Sequence, residues 1–506
     1  MSMRPSRRTA LQTLAAGFAS IGTAFPAKTP AFESTWESLK QYRCPEWFRN
    51  AKFGIWAHWG PQGVPMEGDW YARNMYVQGT RQYEYHLKTY GHPSQFGFKD
   101  IIPLWTAKYW EPEVLMRMYQ RAGARYFASL GVHCDNFDCW NSKHHRWNAV
   151  TYGPKRDIVG TWNKVARDHG MRFAVSEHLA WSYDWFNVNK DSDEAGPFAG
   201  VPYDGNDPAY QDLYWEPHPE KGANFPANPS RHFLWSWFAR VKDLIDQQKP
   251  DLVYTDGGLL GGLGREIVAY YYNANMSWSG GEQQGVYTLK ATSPDGKNGD
   301  YQPGAGTRDM ERAVPDDIQA EPFQTDTCLG QWQYYRDFKY RSAKELVHTL
   351  VDVVSKNGTM LLSVPQMPDG TLDSEEESII YDITMWMRVN SEAIYDTRPW
   401  KKFGDGPGLR HRIANPRGPG SPLSPQDIRY ATKDGKLYVF CMGPQESDVN
   451  LAALGTGAGL LAGPVKNVRV IGSDEKLRWS QEAAGLKIVR PTFQPHPFAI
   501  VFEVVS

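Results

Sequence analysis

An α/β fold is predicted for this 506-residue chain: a (β/α)8-like barrel of the TIM type, irregular in places, followed by a C-terminal antiparallel β-sandwich. Three observations predict it. Apolar runs of strand length over 52–57, 124–132, 171–176 and 252–255 each end in polar or ionisable groups, namely His58, His133 with Asp135, Glu177 with His178, and Asp256. Stretches of helical spacing over 114–122, 157–167 and 233–247 feed the second, third and fourth of these runs; repeated helix-then-strand units imply parallel strands with right-handed crossovers. From about Trp400 the runs shorten and are separated by Gly, Pro and Asp, the pattern of an antiparallel all-β unit.

Taken in order, the chain opens with Arg7-Arg8-Thr9 ahead of a moderately apolar run over 10–25, a twin-arginine-type export signal occupying 1–27. That run is too short and too weak for a permanent membrane anchor, so the mature protein is expected from about residue 28, in the periplasm or secreted. The barrel is assigned to 28–398. Its pattern breaks over 280–328 into a stretch rich in Gly, Asp, Pro and Gln, which reads as a long functional loop. Helical spacing returns over 342–355, a late strand over 359–364, and a covering helix over 375–390. The sandwich, 399–506, is built from runs at 428–432, 436–442, 465–471, 486–489 and 499–504.

Composition narrows the function. A formal net charge of -2 and a pI near 6.7 leave no basic field for a polyanion, so nucleic acid is not an expected partner. Aromatic residues make up 14% of the chain, with 20 Trp and 27 Tyr, enough to supply flat walls for a ligand besides the core. The five cysteines are odd in number and scattered, so they define no disulfide framework. Cys134 and Cys139 lack the second pair that a zinc site requires.

Three chemistries compete for the strand ends. His58, His133 and His178 raise a metal hydrolase, but no strand carries two histidines one residue apart and no helix carries them at i, i+4. Neutral histidines bonding sugar hydroxyls account for the same residues without a metal or other cofactor. Serine chemistry lacks its Gly-x-Ser-x-Gly elbow. Glycoside hydrolysis needs two carboxyl groups, one ionised and one protonated. Asp256 supplies the first; Glu282, Asp309, Glu311, Asp316, Asp317 and Glu321 are candidates for the second. Trp59, Trp70 and Trp140 would pack against a sugar face.

Five segments then bring in a family. WFRNAKFGIWAHWGPQGVP, DWYARNMY, GPKRDIVG, PDLVYTDGG and VNSEAIYDTRPW occur in an order and spacing that resemble the retaining α-L-fucosidases of glycoside hydrolase family 29. The resemblance runs from about Trp47 to Trp400. It implies a barrel with a C-terminal β-sandwich, exo-acting release of L-fucose from a fucosylated glycan by double displacement, and no cofactor. It places Asp256 as nucleophile, His58 and His133 at sugar hydroxyls and Trp70 at an aromatic wall. Glu311 is its choice for acid/base, with Glu321 and Glu282 as fallbacks.

Several positions depart from the family pattern. The usual HHDGF reads HCDNF, so Cys134 replaces a second sugar-binding histidine. Asp69 stands for a glutamate, His178 follows a replaced tyrosine, and Lys290 stands for a later arginine. With Trp59 these residues complete the expected substrate site. The swaps leave a related L-sugar such as an α-L-galactoside, or a non-catalytic glycan-binding barrel, as alternatives.

Overall fold

Eight parallel strands close into a barrel in sequence order: β1 (Phe53–Ala57), β2 (Tyr126–Val132), β3 (Arg172–Glu177), β4 (Leu252–Thr255), β5 (Val286–Lys290), β6 (Thr307–Asp309), β7 (Phe323–Cys328) and β8 (Gly358–Ser363), with β8 pairing back onto β1. The computed structural model describes residues 31–220, 222, 225–290, 300, 302–409 and 423–506. The twin-arginine segment lies outside them.

Alternation along the strands builds two apolar layers. Trp56, Tyr126, Ala128, Ala174, Leu252, Tyr254, Val286 and Leu361 fill the lumen, while Ile55, Phe127, Val175, Val253 and Leu362 face the surrounding helices, as period-two strands buried on both faces require. Gly54 is small for a packing reason, since a Cβ there would lie 2.3 Å from the Tyr126 ring.

The helices begin where the sequence supplies caps. Asp157 caps Ile158–Asp168, Ser230 caps Arg231–Gln248, and Ser342 with Glu345 and Asp373 with Glu376 form capping boxes on Ala343–Ser355 and Ser374–Asn390. A further helix, Gly261–Trp278, has no side-chain cap and opens on glycines, which hides it from the sequence pattern.

The stretch over 280–328 is not one long loop. It carries β5, β6 and β7, three of the eight barrel strands. Their interior positions are polar, which masks them: Asp309, Gln324 and Asp326 are buried, Gln324 donates to Asp309 (2.8 Å) and accepts from Tyr126 (3.1 Å), and Tyr254 donates to Asp326 (3.0 Å). The barrel is irregular here, for no helix joins β5 to β6 or β6 to β7 among the described residues.

Beyond the barrel, β9 (Arg398–Asp405), β10 (Ile428–Lys433), β11 (Lys436–Cys441), β13 (Asn467–Val470) and β16 (Ile500–Val505) form a five-stranded antiparallel sheet. A three-stranded antiparallel sheet of β12 (Val449–Leu451), β14 (Trp479–Glu482) and β15 (Gly485–Ile488) shares one apolar core with it. Of these, β9, β12 and β14 are additional to the sequence reading, the last because its exposed residues carry no apolar run.

Candidate active site

Seven strand ends deliver side chains to one cavity of about 300 Å3: Trp56 and His58 from β1, His133 and Cys134 from β2, His178 from β3, Tyr254 and Asp256 from β4, Lys290 from β5, Glu311 from β6, and Asp326 and Trp332 from β7. Asp69 and Trp70, on the long connection after β1, and Trp181 and Trp185, after β3, complete the wall. The cavity sits at the C-terminal face of the barrel, where parallel (β/α)8 folds place their chemistry.

Asp256 is fixed by its backbone as well as its side chain. Its N–H donates to the Glu177 carbonyl (2.9 Å), and its carbonyl accepts from the Trp181 indole (3.0 Å). The following Gly257 has φ +85 and a Cβ there would lie 2.8 Å from that indole, which is why glycine follows the acid. The carboxylate bonds the Lys290 ammonium through one oxygen and lies 3.3 Å from His178 Nδ1 through the other. Burial pushes this carboxyl up, but Lys290 and His178 outweigh it and hold the group well below the usual carboxylate range. It is an anion facing the cavity.

Glu311 sits on a tight turn after β6. Met310 and Arg312 donate backbone hydrogen bonds to the Gln324 and Asp326 carbonyls (2.9 and 2.8 Å), and Arg312 takes a left-handed φ of 48. The turn holds the Glu311 carboxylate 2.7 Å from Lys290 Nζ and 3.2 Å from the Trp332 indole nitrogen. The Lys290 charge lowers its pKa. Asp256 and Glu311 thus contact the same ammonium, so their nearest oxygens are no more than two hydrogen bonds apart, roughly 5.5 Å.

The histidines line the floor. Their ring centroids lie 5.0 Å (His58–His133), 5.2 Å (His58–His178) and 4.8 Å (His133–His178) apart. Gln333 meets His58 Nδ1 at 3.2 Å and Gln62 meets His133 Nδ1 at 2.7 Å. Burial, helped by the neighbouring rings, pushes His58 and His133 well below the ordinary histidine range, so both are neutral at pH 7. Asp69 lies 3.8 Å from His133 Nε2, and burial raises its carboxyl to about 7. The Cys134 thiol lines the wall and burial pushes it well up, so it is a neutral lining group. Trp70, in a left-handed conformation (φ 64) and 38% exposed, stands edge-on to Trp185 at the mouth.

Four expected residues lie elsewhere. Trp59 turns into the helix layer, packs on Trp105 and Trp110 and donates to the Met367 carbonyl (3.0 Å). It follows His58 directly, and alternation along the chain sends the two side chains to opposite faces. Trp140 is likewise buried, donating to Asp243 (3.0 Å). Glu321 precedes β7 and lines a separate cavity with Tyr42 and Arg43, and Glu282 precedes β5. Residues that lead into parallel strands sit at the barrel end opposite the site, so neither fallback reaches it. Trp56, Tyr254, Trp181, Trp185, Asp326 and Trp332 were not anticipated. Trp56 and Tyr254 lie two residues before His58 and Asp256, a spacing that does signal a shared face.

This fold and this pair of carboxyls over an aromatic, histidine-lined pocket define a glycoside hydrolase. The sequence model of the alpha-L-fucosidase family matches residues 21–392. The plasma alpha-L-fucosidase of Homo sapiens is 26% identical over 478 residues, covering 92% of this chain and 90% of that one, and the tissue alpha-L-fucosidase of Rattus norvegicus is 25% identical over 476 residues with 92% and 90% covered. The crystal structure of the Thermotoga maritima alpha-fucosidase in complex with fucose superposes with a TM-score of 0.71 at 25% identity, covering 94% of this chain and 100% of that one. The chain belongs to the α-L-fucosidase family, glycoside hydrolase family 29.

Proposed function

We propose that this protein is an exo-acting α-L-fucosidase that releases L-fucose from a glycan with retention of configuration, Asp256 acting as nucleophile and Glu311 as acid/base. The observation that carries the reading is the sharing of Lys290 by both carboxylates. Their nearest oxygens therefore lie within about 5.5 Å of each other, which is compatible with the 5–5.5 Å spacing of retaining glycosidases and short of the roughly 6.5–9.5 Å of inverting ones.

In the first step an oxygen of Asp256 bonds to the anomeric carbon as the glycosidic C–O bond breaks. Glu311 gives its proton to the departing oxygen. In the second step water attacks that carbon, Glu311 takes up the water's proton, and the bond to Asp256 breaks. Lys290 has two effects: it keeps Asp256 ionised, and it holds Glu311 ionised until substrate separates that pair. A glycoside entering between them weakens the Lys290–Glu311 contact and lets Glu311 take the proton it must donate. The neutral histidines and Asp69 bond hydroxyls, while Trp56, Trp181 and Trp332 offer apolar faces to the sugar ring.

The Arg7-Arg8 pattern supports export as a folded protein to the periplasm or beyond. All five cysteines are unpaired, which suits a chain that folds before export.

The test is turnover of 4-nitrophenyl α-L-fucoside in the presence of EDTA by the wild type, Asp256→Ala and Glu311→Ala. Activity is expected to survive EDTA and to fall by at least about 10³-fold in Asp256→Ala. Azide should rescue Glu311→Ala. Turnover of another L-glycoside but not the fucoside would move the glycone, and undiminished turnover by Asp256→Ala would remove the mechanism.

A further inference from the structure

We propose that the three-histidine floor of the pocket is also a binding site for a first-row transition cation, and that zinc occupying it excludes the sugar. Zinc is then a reversible competitive inhibitor of this enzyme and not its cofactor.

The geometry is that of a three-imidazole centre. One nitrogen from each of His58, His133 and His178 lies within 4.8 Å of those of the other two, and all three side chains are buried. Zinc–imidazole bonds of about 2.0–2.1 Å at tetrahedral angles put ring centroids roughly 5.2 Å apart and the bound nitrogens roughly 3.3 Å apart; the centroids already stand at 4.8–5.2 Å, and the rings must turn to draw the nitrogens together from separations of up to 4.8 Å. Each ring is also braced through Nδ1, by Gln333 and Gln62 behind the pocket wall for His58 and His133 and by the Asp256 carboxylate within the cavity for His178. Such outer partners orient metal-bound histidines and fix the nitrogen that keeps its proton. Turning over either glutamine amide lets its carbonyl oxygen accept from the ring N–H, so both protonation patterns are open to the same residues.

Among the buried polar atoms of the pocket that lack a hydrogen-bond partner are His178 Nε2 and Asp69 Oδ1, the latter 3.8 Å from His133 Nε2. Sugar hydroxyls meet them in the catalytic reading. A zinc ion meets the first as ligand and leaves Asp69 or a water for the fourth position. Nitrogen donors of this kind favour zinc and copper over magnesium, which demands oxygen ligands. The cation and the glycone would occupy the same few ångströms, so binding of one precludes the other. That last point rests on the sugar reading of the pocket, whereas the metal site itself does not.

Isothermal titration of zinc chloride into chelator-stripped full-length protein tests the site, with magnesium chloride as control. One zinc per chain is expected, with no magnesium uptake. Affinity should fall by at least about tenfold in His178→Gln and in His58→Gln, with folding checked by circular dichroism. Zinc should raise KM for the aryl fucoside without changing kcat, and EDTA should reverse the effect. Absence of zinc binding, or stoichiometric binding that both variants retain, would overturn the proposal. Zinc lost in both variants but without effect on KM would keep the metal site and overturn its overlap with the sugar. Should a variant fail to fold, cobalt(II) added to the wild type reads the same site. A visible ligand-field band that zinc bleaches supports it, and no band counts against it.

Discussion

Lys290 sets the charge state of the site. Its ammonium is buried, which alone would lower its pKa, but Asp256 and Glu311, with Asp326 and Asp309 beneath, raise it well above the ordinary lysine value. Lys290→Met is therefore expected to move the acid limb of the kcat/KM profile to higher pH. In the proposed mechanism Asp256 must be ionised to attack, and without the ammonium its burial raises the pH at which it takes a proton. Activity near pH 7 should fall roughly 10²-fold; an acid limb that stays in place would show that Lys290 does not tune the nucleophile. A second expectation concerns Glu177, whose carboxyl burial raises to about 7 although it accepts from Leu179 N–H (3.0 Å). The folded chain keeps this proton where the unfolded chain, titrating near about 4.3, has lost it, so its contribution to stability declines as pH rises from about 4 to about 7. Asp69 and Asp135 behave alike. Glu177→Gln should flatten the fall of Tm between pH 5 and 8, and an unchanged slope would refute the assignment. At this scale the sequence was legible where a polar side chain ends an apolar run, as at His58, His133, His178 and Asp256. It was not where the deciding fact was which way a ring turns, as at Trp59, or which end of the barrel a loop acid occupies, as at Glu321.

The elements that were easy to read are those with one apolar face and a start signal, Pro112 at the first position of one helix and the Asp157 cap of another. Helices over 114–122 and 157–167 lie within a few residues of Pro112–Arg121 and Ile158–Asp168. The strands that escaped are those the active site has made polar. In β7 the lumen positions are Gln324 and Asp326 because they support Tyr126 and Tyr254 from below, and β6 has only three residues. A barrel that delivers charged groups from consecutive strands loses its apolar signature there. The lumen gives an element-scale prediction. Gly54→Ala in β1 drives a methyl into the Tyr126 ring, which is wedged among Phe48 and Trp47. Chemical denaturation should show a loss of about 1–3 kcal/mol; a neutral result would mean that the lumen packs less tightly than the contact requires.

Across the whole molecule, the C-terminal sheets are tied to the barrel by buried charge. Arg429 of β10 is fully buried and bonds Asp352 on the helix Ala343–Ser355, and Asp352 also accepts from Lys356 (2.9 Å). Breaking a buried pair costs about 3–5 kcal/mol, an upper bound for Arg429 because Lys356 still compensates the Asp352 carboxylate. Arg429→Ala should therefore lower Tm sharply while leaving KM for the aryl fucoside unchanged in the folded fraction; an altered KM would assign the sheets a part in the site. That two sheets follow the barrel was legible from short runs and turn residues, but this tie was not, because an arginine and an aspartate 77 residues apart carry no mutual signal in sequence. The central claim for the molecule is that Asp256 and Glu311 act on one sugar by double displacement. It is tested most directly by proton NMR of the first sugar released from an aryl α-L-fucoside, read before mutarotation. The α-anomer of L-fucose appearing first is the result predicted, and the β-anomer appearing first would contradict the account.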